Sequence, residues 1–160
     1  MIILGIDPGS LSCGFSIIKK DGSRIFLLEA AALTLTSGAP FPERLLIIHD
    51  FFQTKIQDYG VTDLALETPF LGKNAQNFLK LGYVRGILYL LVQRNKLGLH
   101  EFAPCQIKRA LTGSGAADKE LVSRMVMRLF PGFQQPSKLD VTDALAVALC
   151  SAWLPSPVVR

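Results

Sequence analysis

The chain has 160 residues, 49% of them hydrophobic and 19% charged, which is enough apolar material for one folded core and too little charge for a disordered chain. A net charge of +4 leaves a polyanionic partner open, and apolar runs such as residues 86–92 fall far short of the roughly 20 needed to cross a bilayer. No basic segment precedes the first apolar run, so neither an exported nor a membrane protein is expected.

Ile2, Ile3, Leu4 and Ile6 predict a first strand over residues 1–7, stopped by Asp7-Pro8-Gly9-Ser10 because proline and glycine in succession force a turn. A second strand over about 14–19 runs into Lys20-Asp21-Gly22-Ser23, where Asp-Gly signals a hairpin, and a third over about 24–36 completes an antiparallel meander. The period then becomes helical. Phe41, Leu45, Ile48, Phe52 and Ile56 follow Pro40 and Pro42, giving an amphipathic helix that ends near Tyr59-Gly60. Residues 61–67 read as a short apolar strand after this crossover, which favours pairing parallel to an earlier strand. A long helix follows over 74–95, a fifth strand over 97–102, helices over 104–111 and 118–129 joined by the glycine-containing loop 112–117, and a last helix over 140–153.

This order predicts an α/β fold: a mixed five-stranded sheet, three antiparallel strands and then two parallel, flanked by helices. One domain is expected over 1–154, with a short flexible tail at 155–160 because Pro155-Ser156-Pro157 cannot extend a helix. Cys13, Cys105 and Cys150 are odd in number and widely spaced, which argues against a disulfide framework or a zinc site and fits a reducing cytoplasm. His49 and His100 show no partner pattern and are given no role. The bases are concentrated: residues 73–138 hold eleven of them against three acids. Such a block attracts nucleic acid, although a solvated helix surface produces the same count.

Four acids have a geometric relation. Asp7 ends the first predicted strand and Glu67 the fourth, so adjacent parallel strands would bring both carboxylates to one edge of the sheet, where open sheets place their sites. Asp140 and Asp143 share one face at the start of the last helix, which Val141, Ala144, Leu145 and Ala148 would dock against the sheet. Clustered carboxylates raise one another's pKa, and hard divalent cations relieve the repulsion. Oxygen-only donors favour magnesium or manganese over zinc, and two such ions about 3.5–4 Å apart can assist phosphodiester hydrolysis. Taken singly, each acid has a plainer reading: a turn residue for Asp7, a strand-end surface acid for Glu67, a helix cap for Asp140 and a first-turn acid for Asp143.

Four segments carry a family resemblance: Ile3-Leu4-Gly5-Ile6-Asp7-Pro8-Gly9-Ser10; Glu67-Thr68-Pro69-Phe70 with Gly72-Lys73-Asn74 and Lys80-Leu81-Gly82; Thr112-Gly113-Ser114-Gly115-Ala116-Ala117-Asp118-Lys119; and Asp140-Val141-Thr142-Asp143-Ala144-Leu145-Ala146. In this order, the chain resembles the RuvC-type Holliday junction resolvases of the ribonuclease H-like superfamily. The resemblance implies that Asp7, Glu67, Asp140 and Asp143 are catalytic acids holding two magnesium ions per subunit, with manganese able to substitute. It implies that Lys108 and Lys119 lie beside the scissile strand, that Phe70 inserts at the junction centre, and that Lys73, Asn74, Lys80 and Arg85 join the two lysines in binding DNA. The activity so implied is a magnesium-dependent endodeoxyribonuclease that nicks four-way junctions symmetrically, leaving 5′ phosphate and 3′ hydroxyl ends, in recombination and repair. A homodimer, a branch-migration complex as partner, and a bacterial-type cytoplasmic location at the nucleoid go with it.

Tyr83-Val84-Arg85-Gly86 departs from the family's usual Gln-Ala-Arg-Gly run, within the helix expected to make the dimer contact. Two other functions stay open from the residues: a related nuclease acting on structured RNA, and a non-catalytic junction-binding protein. A sugar-kinase-type phosphotransferase shares the first strand but needs a second nucleotide-binding half, for which 160 residues leave no room.

Overall fold

A computed structural model describes residues 1–69, 74–133 and 139–154 of the chain. In chain order its elements are β1 (Ile2–Asp7), β2 (Ser12–Asp21), β3 (Arg24–Thr34), α1 (Phe41–Tyr59), β4 (Asp63–Glu67), α2 (Ala75–Asn95), β5 (Gly98–Phe102), α3 (Pro104–Thr112), α4 (Lys119–Leu129) and α5 (Leu139–Trp153). The strands form one sheet in the order β3-β2-β1-β4-β5. β1 pairs antiparallel with β2 and parallel with β4, β2 pairs antiparallel with β3, and β4 parallel with β5. This is the mixed five-stranded sheet that the chain order predicts.

The element types match throughout and the ends move by a few residues. β2 extends from the expected 14–19 to Ser12–Asp21, because pairing to β1 on one side and β3 on the other carries the ladder beyond its apolar centre. Its hairpin closes on Asp21 opposite Arg24, so the turn is Gly22-Ser23 rather than Asp-Gly, with Gly22 at φ +58° supplying the positive angle such turns require. Two helices carry the stop or start signal their sequence offers. Gly60 ends α1 in the left-handed conformation, and the Asp118 carboxylate accepts from the Leu121 amide at 2.7 Å to cap α4.

Strand alternation sorts the interior into two layers. Leu4 and Ile6 of β1, Cys13, Phe15 and Ile17 of β2, and Leu64 and Leu66 of β4 pack under α1 and α2, against Ile48, Phe52, Val84 and Leu88. Ile3, Ile18 and Ala65, one residue out of step, meet α3, α4 and α5 on the opposite face, against Ile107, Val126 and Leu145. Among the described residues, no helix is long and apolar enough to cross a membrane. The expected tail at 155–160 lies outside the described residues.

Candidate active site

The same alternation decides where the acids go. Ile3 and Ala65 face α5, so Asp7 and Glu67, at even separations along β1 and β4, face it too. The parallel register ends at Ile6 beside Leu66, and both strands therefore deliver their terminal carboxylates to one edge. On β2, Ser12, Gly14 and Ser16 lie on that face and receive α5. The Ser16 hydroxyl donates to the carbonyl of Ala144 at 3.0 Å, and the Ser12 hydroxyl donates to the Asp140 carboxylate at 2.8 Å.

Two glycines set how close α5 comes. A Cβ on Gly14, the residue paired with Asp7, would collide with the backbone carbonyl of Asp140, and one on Gly5 would collide with that of Ala144. With only hydrogen in those places the helix seats directly on β1 and β2, buried almost continuously from Ala144 to Ala152. Its first turn thus brings Asp140 and Asp143 to the strand ends.

The result is an electrostatically loaded edge. Burial first, then Asp143, Asp140 and Glu67, push the Asp7 carboxyl up to about 7, with Lys119 pulling the other way. Glu67 is raised by burial and by Asp143, against Lys119, Lys108 and Arg85. The Lys119 ammonium donates to the Asp143 carboxylate at 3.1 Å, which raises the lysine's own pKa, while its side chain stays 70% exposed. Glu67, Asp143, Lys108 and Lys119 line one cleft of about 170 Å³, floored by Ile107, Val122 and Ala146.

The acids share this edge without forming a closed cage. Among the described residues, no group of three or more His, Cys, Asp or Glu side chains is gathered tightly enough to hold a metal ion. Asp140 leans on Ser12 and Asp143 on Lys119, as mutually repelling carboxylates do when neighbouring donors are in reach. The donor chemistry nevertheless fits a hard divalent cation. Every candidate ligand is a carboxylate oxygen; the adjacent Cys13 thiol is pushed up to about 11 by burial, stays protonated, and donates to the Gly9 carbonyl at 2.9 Å.

The residues expected to bind DNA divide. Lys80 and Lys119 are exposed, Lys108 is half-buried in the cleft wall, and Asn74 is exposed but spends its side-chain oxygen capping α2, accepting from the Asn77 amide at 3.0 Å. Phe70 and Lys73 lie outside the described residues. Arg85 is corrected: it is 5% exposed, with its guanidinium turned inward to the Glu67 carbonyl, Tyr89 and Glu101 rather than toward DNA. The signal was its place on the buried stripe of Val84, Leu88 and Val92, where a charge needs an internal partner. His100, given no role from sequence, is also buried and pairs with Asp63 at 2.9 Å, while the exposed side of α1 carries the His49–Asp50 contact at 2.8 Å. All three cysteines are free thiols, Cys105 exposed and the other two buried.

The model of the family "Crossover junction endodeoxyribonuclease RuvC" matches residues 3–151. The protein of that name from Prosthecochloris aestuarii is 43% identical over 151 residues, 94% of this chain and 80% of the relative. Its counterpart from Citrifermentans bemidjiense is 41% identical over 152 residues, 95% and 92% of the two chains. Among solved structures, T. thermophilus RuvC in complex with a Holliday junction substrate superposes with a TM-score of 0.89 at 27% identity, covering 96% of this chain and 93% of that one. The yeast mitochondrial Holliday junction resolvase shares the fold at a TM-score of 0.66 and 14% identity, over 94% and 76%. With a family model spanning nearly the whole chain and relatives above 40% identity, the chain belongs to the RuvC family of crossover junction endodeoxyribonucleases.

Proposed function

We propose that the protein resolves four-way DNA junctions by paired, symmetric nicks in homologous recombination and DNA repair. The observation that carries this reading is the delivery of Asp7, Glu67, Asp140 and Asp143 from three separate elements to one edge of the sheet, where Glu67 and Asp143 line a cleft with Lys108 and Lys119. Acids alone would repel a phosphate backbone; acids flanked by two lysines at a basic surface suit one once cations are bound.

Asp7, Glu67, Asp140 and Asp143 would hold magnesium, up to two ions, with manganese as a substitute. Bound there, the cations supply Lewis-acid polarisation of the phosphate and make a water a better nucleophile. The chain's own groups do the rest. Ser12 fixes one oxygen of Asp140 and so aims the other. Lys119, tethered to Asp143 yet exposed, holds a phosphate oxygen of the strand, and Lys108 adds positive charge within the same cleft. Asp7, poised near neutrality, holds a proton at its carboxyl until a cation displaces it. Water oxygen bonds to phosphorus, the bond from phosphorus to O3′ breaks, and the proton ends on O3′, leaving a 5′ phosphate and a 3′ hydroxyl.

Two cuts of like polarity need two sites related by a two-fold axis, and a homodimer provides them. The outward stripe of α2 supports it: Leu79, Tyr83 and Leu90 are exposed at helical spacing, with Gly86 between them and the rings of Tyr83 and Phe41 5.9 Å apart. A branch-migration complex that presents the junction, and work in the bacterial cytoplasm at the nucleoid, belong to the same reading. Phe70 and Lys73 remain the candidates for entering the junction centre and holding its backbone.

The test is cleavage of a synthetic four-way junction with magnesium, with manganese and with chelator. The wild-type protein should nick opposing strands only with cation, and Asp7→Asn should bind the junction without cutting it. Full cleavage by Asp7→Asn overturns the chemistry. Preferential cleavage of structured RNA would favour an RNA substrate, and rescue of resolvase-deficient cells by Asp143→Asn would favour a purely binding role.

A further inference from the structure

α2 has two unlike sides. Leu79, Tyr83 and Leu90 point outward, while Val84, Leu88, Leu91 and Val92 pack on the sheet, and Arg85 falls among the inward residues. An arginine so placed is costly unless its donors are used, and here they are. Its Nη1 donates to the main-chain carbonyl of Glu67 at 2.6 Å. Its Nη2 donates to the Tyr89 hydroxyl at 3.0 Å and to the Glu101 carboxylate, and the Tyr89 hydroxyl donates to the same Glu101 oxygen at 2.7 Å. Glu101 reaches this network because alternation on β5 turns it toward α2, between Leu99 on its own side and His100 and Phe102 on the other.

The anchored carbonyl is at a critical place. Glu67 is the last residue of β4; on its β5 side the following amide, Thr68, donates to the Phe102 carbonyl at 2.8 Å, and on its β1 side the pairing has stopped at Leu66. The main chain that aims the Glu67 carboxylate is therefore held by β5 on one flank and by a single arginine of α2 from the opposite layer.

We propose that Arg85 is a positioning residue for Glu67: braced by Glu101 and Tyr89, it ties the end of β4 to α2 and fixes the direction in which the Glu67 carboxylate enters the acid edge. This rests on the reading of Glu67 as a cation-holding acid. It also makes α2, whose outer stripe is the candidate subunit contact, the helix that sets one of the site's ligands. A lysine cannot replace the arginine here, since one compact ammonium cannot serve three acceptors spread across a planar fork.

The experiment uses the full chain with Arg85→Lys, the milder Tyr89→Phe, and Glu67→Gln. Manganese affinity is measured by electron paramagnetic resonance, single-turnover junction cleavage across a manganese titration, junction affinity in chelator, and thermal unfolding. For folded Arg85→Lys, manganese affinity should fall about 10- to 100-fold, with the half-saturating concentration for cleavage rising in step, as loss of a residue supporting a metal ligand does. Junction affinity without cation should stay within about twofold, because a buried side chain makes no phosphate contact. Tyr89→Phe should shift the manganese requirement the same way by about two- to fivefold, and it carries the test if Arg85→Lys does not fold. Wild-type manganese affinity in both variants, or weakened junction binding with an unchanged manganese response, overturns the proposal while leaving the nuclease reading intact. If instead Glu67→Gln cleaves and binds manganese like wild type, the reading of the acid edge fails and the positioning role fails with it.

Discussion

Strand β4 begins and ends with a carboxylate facing the same layer, and the two are treated in opposite ways. Burial presses Asp63 toward protonation, but it accepts from Thr62 at 2.6 Å and pairs with His100 at 2.9 Å, and the outcome lies below the usual carboxylate range. Glu67 has comparable burial, yet the cations near it act through charge alone while Asp143 opposes them, and its pKa rises. Asp7, one strand over, is pushed further, to about 7. The chain thus neutralises an acid locally at the end of β4 away from the acid edge, and leaves acids under-compensated at the edge where we propose a cation binds. Perturbation in the destabilising direction, on groups gathered at one edge, marks function more sharply than the mere presence of acids.

Substitutions at the two ends should separate these conditions. Asp7→Asn should reduce junction cleavage by about a thousandfold or more, as loss of one member of a cooperating set does, with junction binding retained in a band-shift assay. Gly14→Ala tests the seating of α5. The new methyl meets the Asp140 carbonyl, so stability should fall by about 1–3 kcal/mol and cleavage by about a hundredfold, read by thermal unfolding and single-turnover rates. Asp63→Ala, at the opposite end, leaves buried His100 without its partner and should cost about 1–3 kcal/mol with cleavage within about twofold of wild type. A large loss of cleavage there would erase the distinction between the two ends.

The smallest effect is the pH dependence. Asp7 has a raised pKa, so its contribution to stability is complete below its ordinary 3.8 and is lost as pH climbs through about 7. Cation-free protein should therefore melt a few degrees lower at pH 8 than at pH 5, and Asp7→Asn should flatten that slope. Asp63 has the reverse sign: its contribution is present above the usual carboxylate range and is lost as acid protonates it. With Asp7 among the ligands, as proposed, manganese binding should tighten from pH 6 to 8, as calorimetry can record.

Much of this architecture was legible in the chain. The shift from period two to helical period after residue 40 marked the crossover, the Asp7-Pro8-Gly9 turn marked the end of β1, and acids at two strand ends and one helix start pointed to a common edge. The basic block was legible too, but not which of its members face solvent. Arg85 looks like Lys80 in a count of charges, yet one is buried on α2 and the other exposed. His100 and Asp63 lie on different strands, and nothing near either along the chain signals that they pair.

The sequence by itself determined the element types, the parity that puts Asp7 and Glu67 on one face, and the family, because these follow from local periodicity and short motifs. Only the tertiary structure decided how closely α5 approaches β1 and β2 through Gly5 and Gly14, which acids gain partners and which remain strained, and that Arg85 serves the interior. Those outcomes depend on distances between segments far apart in the chain, and burial, repulsion and hydrogen bonding act on those distances rather than on residue order.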